Sequence, residues 1–195
     1  MEKYVAILNN ATQIDSAAAK GELERKARSW FNKEFLVYTS HSFAACTGYA
    51  KTVHEEIELV LTGHKGRNIS IWEIDNFVEI WELKDYLDYE IWKLSGGWRK
   101  YLGIALFTNQ RSFGKIYFDA IRHLSSNRLR TFMSNLDQSG GECTVFFEYD
   151  VSKLLDLKLT PLYDHSDRFS LEEFTNSVLE LNGETNYAQI GTSKP

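Results

Sequence analysis

Tyr4-Val5-Ala6-Ile7-Leu8-Asn9-Asn10-Ala11-Thr12 decides how this chain is read, because an unbroken apolar run stops at two asparagines and the spacing then changes. The run predicts a buried strand over 4–8. From Thr12 the apolar residues Ile14, Ala17, Ala18, Leu23, Ala27, Trp30 and Phe31 recur at helical spacing with charges between them. Gly21 lies inside that helix and weakens it by about 1 kcal/mol relative to alanine.

The alternation then repeats. Phe35-Leu36-Val37-Tyr38 reads as a second strand, closed by Thr39-Ser40-His41-Ser42. Phe43, Cys46, Ala50, Val53, Ile57, Val60 and Leu61 follow at spacings of three and four, which predicts a helix capped by Ser40 or Ser42 and ended near Gly63. Ser70-Ile71-Trp72-Glu73 has the form of a capping box, yet Ile69–Ile74 also reads as a strand; the helix is placed from about Asp75 to Leu94, before Gly96-Gly97. Tyr101-Leu102-Gly103-Ile104-Ala105-Leu106-Phe107 reads as a third buried strand. Phe113, Ile116, Tyr117, Ala120, Ile121 and Leu124 form the next helical face, and Leu129, Phe132, Met133 and Leu136 another after Ser125-Ser126-Asn127. Thr144-Val145-Phe146-Phe147 is a fourth strand, and 171–181 a last short helix capped by Ser170.

Continuously apolar strands alternating with helices predict an α/β fold: a mostly parallel, four-to-five-stranded sheet flanked by helices. The 195 residues suit one domain, placed at 1–183, with a polar tail over 184–195. A hydrophobic share of 43% supplies ample core and argues against disorder. No run approaches the ~18 apolar residues of a membrane span, and the first residues are too short an apolar run for a signal peptide. Cys46 and Cys143 lack ligand-like neighbours and read as free core thiols. A cytoplasmic protein is the expectation, with no cofactor and no metal site.

If the strands are parallel, their polar ends meet on one rim, where open α/β sheets bind ligands. Asn10, Ser40, His41, Asn109, Arg111, Glu148 and Asp150 are therefore the candidate ligand-binding residues, for a phosphorylated or nucleotide-like molecule. His41 is the candidate base, with Glu148 or Asp150 as the orienting or metal-binding carboxylate. Polar loops and capping residues produce such clusters without any ligand, so only the coincidence of four polar strand ends, at 9–12, 39–42, 108–111 and 148–150, makes the rim a candidate. The loop after the first strand lacks G-x-G-x-x-G, and G-x-x-x-x-G-K-[ST] occurs nowhere in the chain. No G-x-S-x-G supports a nucleophile at Ser40 or Ser42.

Three other motifs fail on their own residues. His54-Glu55-Glu56 is not H-E-x-x-H, because Glu58 stands where the second histidine belongs. Glu82-Leu83-Lys84 resembles the E-x-K half-motif of the PD-(D/E)XK nucleases, but the stripe around it is helical and Asp75 is too near. Asp164-His165-Ser166-Asp167 reads as a solvated turn rather than a zinc site.

Charge is distributed unevenly. Residues 98–136 carry a net charge of about +6 and residues 54–90 about −7, inside a chain whose total is −5. Arg99, Lys100, Lys115, Arg122, Arg128 and Arg130 are candidate contacts for a partner, and nucleic acid or a phosphorylated small molecule is an alternative occupant of 99–130. Tyr89 and Trp92 fall off the apolar stripe of their segment and join that list, since such residues dominate binding hot spots. The leading expectation is a noncatalytic interaction protein, an inhibitor or an assembly subunit, that binds a protein partner. A ligand-binding α/β enzyme or sensor is the alternative.

Overall fold

A computed structural model describes residues 2–7, 35–39, 46–118, 120–121, 124–138, 143–148 and 160–161. The chain divides into two compact units. One comprises Met1–His41, Ser112–Arg122 and Gly141–Pro195; the other comprises Ser42–Arg111 and His123–Gly140.

The first unit holds a sheet of β1 (Glu2–Ile7), β2 (Phe35–Thr39), β3 (Gly114–Phe118), β4 (Cys143–Glu148) and β5 (Thr160–Pro161). The strands lie in the order β2-β3-β4-β1-β5, and every pairing is parallel. The α/β class and the parallel direction read from the sequence hold. One cross-strand row is aromatic: Tyr38 pairs with Tyr117 and Tyr117 with Phe146, with ring centroids 6.2 and 5.4 Å apart. Such rows stabilise a sheet by side-chain contact between neighbouring strands. Lys115, Ile116 and Tyr117 are consecutive and all buried, so both faces of β3 are covered.

The second unit is helical: α1 (Val53–Lys65), α2 (Ile71–Ile80), α3 (Gly96–Thr108) and α4 (Ser126–Gln138), with short 3-10 turns at Lys84–Tyr86 and Ile91–Lys93. Thr52 caps α1 in a capping box with Glu55, and Gly66, at φ 61°, ends it in the left-handed region. Ser70 and Glu73 make the same box for α2. Trp81 sits at the centre of the core, its ring 5.9 Å from Tyr101 and 6.5 Å from Phe132, and its carbonyl accepts from the Tyr101 hydroxyl at 3.1 Å. Burial pushes the Tyr101 phenol up to about 12.

Several expected elements differ from those observed. Residues 101–107 form helix α3, not a strand. Tyr101 to Thr108 are all buried, so no polar face betrays the helical period, and Gly96-Gly97 open the helix behind the Ser95 cap instead of closing an earlier one. Residues 114–118 form β3, not a helix; a buried lysine in mid-strand and further buried residues at 120, 121 and 124 imitated helical spacing. The helix expected from Phe43 starts at Val53, capped by Thr52 rather than Ser40 or Ser42, and Gly63 lies inside it. The helix expected from Asp75 to Leu94 starts at Ile71 and ends at Ile80. The strands expected at 4–8, 35–38 and 144–147 and the helix around 129–136 are present with shifted ends. The helices expected at 12–31 and 171–181, and the tail, lie outside the described residues.

Candidate functional site

Parallel pairing brings strand ends to a common edge of the sheet. Ile7 lies opposite Glu148, and Thr39 opposite Phe118, which itself lies opposite Phe147. Glu148 closes β4 at that edge, and Thr39 immediately precedes Ser40 and His41. Asn10, Ser40, His41 and Asp150 themselves lie outside the described residues. The reason for adding Asn109 and Arg111 does not survive. The run before them is helix α3, Asn109 is its C-cap, and both residues precede β3 in the chain instead of following a strand. The residue that does follow β3 is Asp119, which the reading of 113–124 as a helix concealed.

The basic stretch 99–130 is divided between the two units. Arg99, Lys100, Arg111, Arg128 and Arg130 belong to the helical unit, Lys115 and Arg122 to the sheet unit. Lys115 is 1% exposed, which removes it from any contact surface, and burial pushes its ammonium down to about 8. The Arg128 guanidinium is stacked 3.7 Å over the Trp98 ring, a cation–π contact that holds it against its own unit. Arg130 is exposed and donates to Asn127 Oδ1 at 2.5 Å. Arg99 and Lys100 are half-exposed, and Arg122 lies outside the described residues.

Tyr89 is 52% exposed and Trp92 69%, and Tyr49, at 90%, joins them. Their segments are tied together by backbone hydrogen bonds, Val53 N–H to the Tyr89 carbonyl at 3.1 Å and Ile91 N–H to the Lys51 carbonyl at 3.0 Å. Beneath Tyr89 the rings continue: Tyr86 lies 5.5 Å from Tyr89 and 3.8 Å from Trp98. Glu90 pairs with Lys93 at 3.0 Å and Lys51 at 3.6 Å, one carboxylate between two lysines. Tyr49 was hidden because 43–61 reads as one amphipathic helix, whereas residues 46–50 are irregular.

A second feature of the helical unit has no counterpart in the sequence reading. A cleft of about 250 Å³ is lined by residues of α1, α2 and α4 and the end of α3, among them Trp72, Asn76, Asn109, Asn135 and Gln138. Trp72, Asn76 and Ile80 stand at i, i+4 and i+8 of α2 and so share one face. The Ser70-x-x-Glu73 box was the signal that the helix begins before Trp72. Glu73, at the cleft wall, is held well below the usual carboxylate range by Arg67, Lys65 and Ser70.

Near Cys46, a free thiol, Glu56 is fully buried and its carboxylate accepts from the Thr47 N–H and, at 2.7 Å, from the Thr47 hydroxyl. Cys46 is half-buried; burial, and secondarily the Glu56 charge, push its thiol up to about 12, away from the thiolate form. Among the described residues no His, Cys, Asp and Glu cluster could hold a metal ion, and no helix is long and apolar enough to cross a membrane.

With this architecture in hand, the chain is similar in fold to three solved proteins, each less than 25% identical to it. A metal-chelate type ABC transporter in an inward-facing conformation aligns at TM-score 0.51 and 11% identity, covering 80% of this chain and 65% of that one. The archaeal ribosome recycling factor aABCE1, in complex with the archaeal ribosomal stalk protein aP1, aligns at TM-score 0.51 and 18% identity over 79% of this chain and 34% of that one. The cbiO1 protein of Clostridium perfringens, part of the ABC transporter complex cbiONQ, aligns at 0.50 and 13% over 78% and 69%. The chain thus spans 65% of the first of these and about a third of the second. No family model and no curated protein matches it.

Proposed function

We propose that this chain is a noncatalytic binding protein on an ABC ATPase-like fold, and that it takes a protein partner on the exposed aromatic surface of Tyr49, Tyr89 and Trp92. The observation that carries this reading is that three large rings, 90%, 52% and 69% exposed, stand on two segments joined by backbone hydrogen bonds. Exposed aromatics grouped in this way mark interaction sites more often than they occur by chance on a monomer surface. The absence of G-x-x-x-x-G-K-[ST] from the sequence supports a noncatalytic role, because that loop supplies the backbone N–H cradle and the lysine for nucleotide phosphates. One protein of similar fold was solved in complex with another protein. The same reading takes residues 1–183 as one cytoplasmic domain, its four-to-five-stranded sheet flanked by helices. The test is a pull-down of wild type beside Trp92→Ala and Tyr89→Ala. A discrete partner retained by wild type and lost by both variants supports the reading; a partner retained equally by all three overturns it.

A second reading rests on the sheet. Strand ends meeting at Ile7, Thr39, Phe118 and Glu148 favour a phosphorylated or nucleotide-like ligand held by Asn10, Ser40, His41, Glu148 and Asp150. Here ATP with magnesium, at 100 times its dissociation constant, adds about 2.7 kcal/mol to stability, a shift that His41→Ala diminishes. No thermal shift with ATP, phosphate or magnesium removes this reading.

A further inference from the structure

We infer that the cleft of the helical unit binds a neutral nucleobase. Its volume of about 250 Å³ lies just below the roughly 300–1,000 Å³ of pockets for drug-sized molecules, which selects a small ring system. Its charges are already committed. The Glu73 carboxylate accepts from Lys65 at 2.5 Å, from Arg67 at 2.7 and 3.1 Å, and from the Ser70 N–H at 2.9 Å. Lys65, the cation among the lining residues, is therefore engaged, and among the described residues an anionic ligand meets no uncommitted positive charge there.

Carboxamides are what the cleft offers instead: Asn76, Asn109, Asn135 and Gln138. Asn135 is oriented by its own hydrogen bond, Nδ2 to the Ile80 carbonyl at 2.9 Å, which leaves its Oδ1 as an acceptor. A carboxamide carries a donor beside an acceptor, the same pairing that lets asparagine and glutamine recognise a base edge. At the rim Trp72, 72% exposed, presents an indole on which a flat heterocycle stacks. Neutral polarity, matched donors and acceptors, and one open aromatic face together define the ligand class. The site lies wholly in the helical unit and does not depend on the strand ends or on Tyr89 and Trp92.

The experiment is titration calorimetry of the full chain with adenosine, guanosine, cytidine and uridine, with glucose and inorganic phosphate as controls. At least one nucleoside binds at millimolar concentration or below, more tightly than either control. Trp72→Ala weakens that binding by about 5- to 150-fold, the loss of one base–indole stack, while Trp72→Phe retains most of it. Asn135→Ala weakens it as well, and Trp92→Ala leaves it unchanged. Trp72 is exposed, so circular dichroism of Trp72→Ala should match wild type. Absence of heat with all four nucleosides overturns the inference, as does equal binding of glucose or phosphate, or undiminished affinity in Trp72→Ala.

Discussion

Replacing Gly114 with alanine probes the packing of the sheet at a single point. A β-carbon built on Gly114 lies 2.2, 2.4 and 2.7 Å from three atoms of the Phe35 ring, where ordinary contact needs more than about 3.4 Å. Phe35 is its partner in the β2–β3 pairing, is almost fully buried, and has the Phe113 ring against it at 5.5 Å. The ring must therefore move by roughly an ångström in a place with little room, an overpacking cost of about 1–3 kcal/mol. At an unobstructed strand position the same change would stabilise by about 0.5–1 kcal/mol, because glycine loses more backbone freedom on folding. Urea unfolding read by circular dichroism measures the difference. Phe35→Ala alone should cost about 3–5 kcal/mol, and adding Gly114→Ala to it should cost nothing further, since the obstructing ring is gone. A Gly114→Ala protein as stable as wild type, or a double variant whose cost is the sum of the two singles, would refute the contact.

Three further outcomes follow from local geometry. Glu82 holds φ 54° at the end of α2, so Glu82→Gly should raise stability by about 0.5–1 kcal/mol in the same assay, since its side chain is exposed and the bond it accepts from Thr131 is a weak one at 3.3 Å. The Cys46 thiol, raised to about 12, should resist iodoacetamide at pH 8 in a folded Cys143→Ala background and react on unfolding in urea; modification at the rate of a free thiol contradicts its burial. Glu73, depressed from its ordinary 4.5, contributes stability that is present above that value and fades as pH falls through and below it. Melting curves of wild type and Glu73→Gln should therefore differ at neutral pH and converge in acid, with only a small gap because its partners Lys65 and Arg67 are exposed and the pair is screened by solvent.

The strands at β1, β2 and β4 were legible because each is a short apolar run closed by polar residues, and parallel direction followed from the lack of a polar face. The exchange of strand and helix between 101–107 and 114–118 has a physical origin. A fully buried helix and a fully buried strand are both continuous apolar runs, and periodicity cannot separate them. Gly96-Gly97 then misled, because a glycine pair behind a serine cap starts α3 instead of ending a helix. Lys115 shows the converse limit: a lysine in mid-strand reads as surface, yet it is buried. Tyr89 and Trp92 were singled out for falling off the apolar stripe of a helix over 75–94; that helix ends at Ile80, yet both side chains are exposed. Tyr49 and the carboxamides of the cleft required tertiary information. The segment after Tyr49 meets that of Tyr89 through the backbone bonds of 51–53 with 89–91, and Asn135 reaches the cleft because its amide bonds the end of α2.

The aromatic surface is tested most directly by a photo-crosslinking residue placed at Trp92, with a second placed at Glu58, an exposed position elsewhere on the helical unit. Irradiation in native extract should give one discrete protein adduct from position 92 that disappears when Tyr89→Ala is added, and none of that size from position 58. The same adduct from both positions, or none from position 92, contradicts the account.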